Sequence, residues 1–199
     1  MLSRRINRLA CQGVAGIIIA TCLAAGGIKE IGAQSTAKLY PVHPGQLKLQ
    51  VPAGWSEELK SSTPGGPVTL TFRPPPGVRF LIRATISWDE KAGGNFNSDG
   101  RVQEIVMAAG NQFLPRSVEK QLKLLEVKGE SLRGYYFVLT DKAPLAGDYE
   151  IMAQGAAALG EVLILFTYLG YPGGETELQR LIEVLRGAGL TTTPAQRQR

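Results

Sequence analysis

The run VLILFTYL, residues 162 to 169, limits the fold more than any other stretch of the chain. It is apolar at alternate positions and between them, and YYFVLT, residues 135 to 140, is nearly so. Extended segments of this length that carry no wet face belong inside a sheet covered on both sides. A chain with two such strands therefore needs a layer of helix on each face of the sheet.

Other segments supply the rest of that architecture. Leu47, Leu49 and Val51 alternate with polar neighbours and run into the Pro52-Ala53-Gly54-Trp55 turn. Val68, Leu70 and Phe72 alternate with Thr69, Thr71 and Arg73, and Phe80 to Trp88 repeats the pattern, so each reads as a strand with one dry face. These three are expected to form a meander with Pro74 to Gly77 at a turn. Val102, Ile105, Val106 and Ala109 then follow a helical spacing, opened by Ser98 or Asp99 and stopped before Pro115. Four strand-like runs come next: Leu122 to Val127, Tyr135 to Thr140, Tyr149 to Gln154, and Val162 to Leu169. A last helix carries Leu178, Leu181, Ile182 and Leu185, with Thr176 and Gln179 as a capping box and Gly187 at its end. Short connections favour antiparallel pairing. The fold class is α+β, an α-β-α sandwich around a mostly antiparallel sheet in the order βββ-α-ββββ-α.

The N-terminus reads as an address rather than as fold. Arg4, Arg5 and Arg8 precede an apolar run from Val14 to Ile28 and then small residues, the layout of a secretory signal. Residues 1–33 are expected to be that signal, cut after Ala33 or alternatively after Gly26. An uncleaved anchor, or lipidation at Cys22, is the other way this segment could act. Residues 34–45 read as an extended leader, 46–190 as a single domain and 191–199 as a disordered tail. Both cysteines, Cys11 and Cys22, fall in the leader. A chain starting after Ala33 thus has neither a disulfide framework nor a thiol nucleophile. The formal net charge of +5 also owes much to the leader, since 18 basic residues against 16 acidic ones follow it. No dense Lys/Arg cluster is left, which excludes the electrostatic footprint of a nucleic-acid binder. The expected location is the periplasm or the exterior.

This order of elements, with the signal and the Pro-Ala-Gly-Trp turn after the first strand, resembles the PsbP and Mog-like fold superfamily, which includes DcrB-like bacterial envelope proteins. The segments GYYFVLTDKAP and GDYEIMAQG look like those of small exported bacterial proteins. The resemblance spans Leu39 to Leu190. It implies a non-enzymatic binding or accessory role and carries over no shared catalytic set, so function has to be argued from the site.

Each chemistry-bearing group has an ordinary explanation. His43, the one histidine, lies between Val42 and Pro44 and reads as solvated linker, without the rigid partner a catalytic base needs. One histidine and no cysteine do not make a zinc site. Asn95 to Gly100 imitates the start of a calcium loop, but Val106 stands where the bidentate Glu belongs, so a helix cap is preferred over a weak site using Asp89 and Asp99. Gly93-Gly94 and Gly173-Gly174 lack the phosphate-loop spacing and read as joints. No cofactor or metal is implied. The connection in GYYFVLTDKAPLAGDYE reads as a long hairpin whose Asp141 caps the turn. As a recognition tip it would use Asp141, Lys142 and Asp148, with Tyr136 or Tyr149 beneath. The expected partner is an envelope protein or component, with a membrane contact only if the N-terminal segment is retained or Cys22 is lipidated. Two further readings are a small-molecule or lipid carrier with a pocket lined by Trp88, Tyr135 and Phe166, and a hydrolase using Asp89, Asp141 and Asp148.

Overall fold

The computed structural model describes residues 34–61, 63, 66–88 and 96–192. The chain divides into two units, Met1–Gly32 and Ala33–Arg199, and every described element lies in the second. The expected signal peptide with its cleavage site, the Cys22 alternative, Asp89, Gly93-Gly94 and residues 193–199 of the expected tail fall outside the described residues, whereas the tail's first two residues, Thr191 and Thr192, are in a paired strand and not disordered.

Among the described residues ten strands and two helices follow one another: β1 Ser35–Val42, β2 Gly45–Pro52, β3 Ser56–Ser61, β4 Val68–Arg73, β5 Leu81–Ser87, α1 Asp99–Phe113, a single 3-10 turn Leu114–Arg116, β6 Leu125–Lys128, β7 Leu132–Thr140, β8 Ile151–Leu159, β9 Val162–Gly170, α2 Glu175–Arg186 and β10 Gly189–Thr192. Seven strands form the main sheet in the order β3-β4-β5-β9-β8-β7-β6, and β1-β2-β10 form a second. Each pairing is antiparallel.

The two-sided apolar strands lie at the centre of the main sheet with a helix on each side. On one face Phe137, Leu139, Ala156 and Leu163 pack under Val102 and Val106 of α1. On the other, Tyr136, Ala153, Ala157, Ile164, Phe166 and Tyr168 meet Leu178, Leu181, Ile182 and Leu185 of α2, together with Leu47, Leu49 and Val51 of β2. Alternate residues of one strand point to opposite faces, so β7 and β9 each feed both cores. Helix α1 lies over β7 and β8. Beyond it the same face turns polar: Thr69 and Thr85 share a hydrogen bond of 3.1 Å and Arg83 is exposed. This is the wet face that the alternation in β4 and β5 predicts.

Several expectations need correction. The first three expected strands do not form a meander, because β2 pairs with β1 and β10 while β4 and β5 sit in the main sheet. Alternation shows which residues share a face, but leaves the neighbouring strand open. Residues 34–45 are extended, yet they are a paired strand and its turn rather than a free leader. His43 packs its ring 5.3 Å from that of Trp88, so it is not solvated linker. The capping box does not form: α2 begins after Gly174, Thr176 lies inside the first turn, and Glu175 accepts from the Gly173 N–H at 3.3 Å. β3, SEELKS, escapes sequence reading because it is an edge strand with mostly charged and polar side chains. It is nonetheless tied in. Lys38 donates to Glu57 Oε1 at 2.9 Å and the Tyr40 hydroxyl to Glu57 Oε2 at 2.8 Å, which links β1 to β3. Burial and then the Glu57 hydrogen bond push the Tyr40 phenol well above its ordinary range.

The edge of β7 beyond β6 is closed by a side chain. Glu119 accepts from the Thr140 N–H and from the Thr140 hydroxyl, each at 3.0 Å, while the Val118 N–H donates to Thr140 O at 2.9 Å. Partial burial alone would raise the Glu119 carboxyl, but the hydrogen bonds from Thr140 and from Ser117 outweigh it and hold the group below the usual carboxylate range. A depressed carboxyl contributes stability above its unfolded pKa and loses it as pH falls through the folded one. Glu119→Gln is therefore expected to cost about 1 kcal/mol at neutral pH. That difference should shrink as pH falls from about 5 to about 3. Denaturant midpoints of both proteins across that range check it, and a difference that does not change with pH would refute the assignment.

Candidate functional site

Four of the five predicted contact residues fall in one ten-residue connection, 141–150, between β7 and β8. Its base continues the hairpin, with the Asp141 N–H donating to Glu150 O at 2.8 Å. The Asp141 carboxylate turns inward and accepts from the Ala143 N–H at 2.9 Å, the self-capping turn expected of an Asp in this position. Lys142 is also engaged. Its N–H donates to Arg116 O at 3.1 Å and its ammonium to Pro115 O at 2.7 Å, which fastens the loop to the 3-10 turn. At the far end the Asp148 N–H donates to Leu145 O at 3.0 Å, and Gly147 supplies the positive φ of 91° that this turn needs.

The centre of this end is a residue that sequence reading passed over. The Tyr171 hydroxyl donates to Gly147 O at 2.9 Å and accepts from the Arg79 guanidinium. That guanidinium carbon lies 4.1 Å from the centroid of the Tyr171 ring, within cation–π range, and Tyr149 meets the same ring at 5.2 Å. Tyr171 thus joins three segments: the connection before β5, the β7–β8 loop and the end of β9. The loop so held displays Leu145, 75% exposed, and the neighbouring connection displays Val78 at 39%. The available signal was Tyr171 between Gly170 and Pro172, in a segment that reads as a joint.

The fifth predicted residue lies elsewhere. Tyr136 is 7% exposed under α2, and its ring sits 6.3 Å from that of Phe166. Burial pushes its phenol up, with Arg186 partly opposing.

The aromatics named for a carrier pocket do not meet. Tyr135 belongs to the α1 side of the sheet, whereas Phe166 lies in the core on the α2 side and Trp88 borders that same core with its ring tilted against His43. Of the three carboxylates named for hydrolysis, Asp141 and Asp148 are both exposed in the tip loop. At the opposite end of the sheet a shallow cleft of about 230 Å³ is lined by polar groups including Asn97, Asp99, Glu130 and Arg133. There Asp99 accepts from the Tyr135 hydroxyl at 3.1 Å, which raises the Tyr135 phenol, and Asn97 donates to Gly160 O at 2.5 Å. Among the described residues no His, Cys, Asp and Glu side chains gather in threes to hold a metal ion. No helix among them is long and apolar enough to cross a membrane.

No protein-family model matches the chain, and no curated protein does. Solved structures do. A crystal structure from Bacteroides thetaiotaomicron VPI-5482 is similar over 82% of this chain and 50% of that one, with a TM-score of 0.53 and 10% identity. This chain therefore spans about half the length of that relative, and a likeness at that identity shows shared fold alone. The solution structure of cyanobacterial PsbP (CyanoP) from Synechocystis sp. PCC 6803 is similar over 84% of this chain and 99% of that one, with a TM-score of 0.45 and 14% identity.

Proposed function

We propose that the chain is an exported, non-enzymatic binding or accessory protein of the cell envelope, and that it makes its contact through the end built on Tyr171. The observation that carries the reading is Leu145, 75% exposed at the apex of a loop whose backbone and side chains are fixed from three directions. A large apolar side chain shown to water on a pre-ordered loop contributes to association without a large ordering cost. Tyr and Arg, the types enriched where binding energy concentrates, stand beside it as Tyr149, Tyr171 and Arg79. The leader reading of residues 1–33 supports the location. Asp141 and Lys142 serve to hold the loop, and Asp148 closes its turn.

A photoreactive residue placed at 145 in cells, compared with one at Met107, tests this. Met107 is also exposed, at 45%, but sits on α1. A discrete envelope adduct formed from 145 and not from 107 is expected. Identical adducts from both positions, or none from 145, would refute the contact surface.

A further inference from the structure

The apex of the 141–150 loop reads Ala143-Pro144-Leu145-Ala146-Gly147, five uncharged residues in a row, and all five are exposed. Resting on the contact end proposed above, we infer that its occupant is a lipid surface, which Leu145 enters while Tyr149 and Tyr171 lie at the headgroup boundary.

Three features favour lipid over a protein partner. A stable protein interface buries about 800 Å² on each side, whereas here one large apolar side chain projects from a narrow turn. Shallow insertion asks only for such a projection, entering about 5–10 Å into the boundary region. Secondly, the residues behind the apex have the layout of an interfacial belt. The Tyr149 and Tyr171 rings lie against one another with the Arg79 guanidinium over the latter, so apolar faces and polar tips occur together. Thirdly, the flanking charges nearly cancel. Arg79, Arg116 and Lys142 stand against Asp141, Asp148 and Glu150, and the Asp141 and Lys142 side chains are both turned to backbone groups. Insertion is therefore driven by the apolar apex and does not require anionic lipid. A single side chain makes the contact weak and reversible, suited to a chain that a second attachment already holds near the surface.

The full chain carrying Leu145→Trp, mixed with phosphatidylcholine vesicles brominated in the acyl chains, reads the position directly, whatever else tethers the protein. Emission above the wild-type background from Trp55 and Trp88 should shift to shorter wavelength and fall about two-fold, as for a ring at that depth. Met107→Trp should show neither change, and adding phosphatidylglycerol should alter the result little. In the unsubstituted protein, amide exchange at residues 145–147 should slow when vesicles are added. Solvent-like, unquenched emission at 145 with unchanged exchange would overturn the lipid reading. If the same position still gave a discrete protein adduct in cells, the contact end would stand with a protein occupant. Quenching at 107 equal to that at 145 would overturn the orientation.

Discussion

Phe137→Ala is expected to lower stability by about 4 kcal/mol, the loss typical of an aromatic ring removed from a closed core. Phe137 is fully buried between β7 and α1, where Val102, Val106, Leu139, Ala156 and Leu163 surround it. The core on this side is small, and α1 is attached to the sheet mainly through it. Unfolding should therefore lose cooperativity, with helical signal at α1 fading before the sheet melts. Chemical denaturation followed by far-ultraviolet dichroism and by amide exchange of α1 measures both effects. A cost under about 1 kcal/mol would mean that α1 does not close this face, because a surface ring loses little on truncation.

Gly155→Ala should cost about 3 kcal/mol, through collision instead of a void. Gly155 lies between Tyr136 and Phe166 in the cross-strand row, and those two rings meet at 6.3 Å. An added Cβ would stand 2.5 Å from Tyr135 O and 2.6 Å from the Tyr136 Cβ. Side-chain rotation does not relieve contact with a backbone oxygen, so the central strands have to spread. A second substitution separates the causes. Phe166→Leu removes the ring near position 155 and leaves Tyr135 O in place, so it should recover only part of the loss in the Gly155→Ala background. Full recovery would show the ring, and not the backbone, to be the obstacle; no destabilisation from Gly155→Ala alone would contradict the register.

Those two positions mark how far the sequence could be read. The apolar content of VLILFTYL and YYFVLT favours an interior strand, because water on either side is costly, although β9 is covered only in part on the α1 side, where Leu165 stays 37% exposed beside Thr85. From this the helix on each face followed, as did α1 and the body of α2, whose spacing is local. β8 was legible only in part. Its AQGAAAL stretch has weak intrinsic strand preference, and it is extended here because β7 and β9 pair with it on both sides, while Tyr136 and Phe166 leave no room for a side chain at Gly155. In the candidate site, Asp141, Lys142, Asp148 and Tyr149 were found from turn chemistry, which acts within a few residues. Tyr171 and Arg79 were missed because their meaning comes from each other, across 92 positions.

By itself, then, the chain determined most of the residues that must be dry, where helices begin and end to within a turn, and that the run from 134 to 150 holds a hairpin with a long connection. All of these follow from interactions between near neighbours and water. Tertiary structure alone decided that β2 leaves the main sheet to pair with β1 and β10, that β3 and β10 are strands, and that the ends of β5, β7 and β9 share one tyrosine. Those outcomes rest on hydrogen bonds and ring contacts between distant segments, and period-two alternation is the same whichever strand lies alongside.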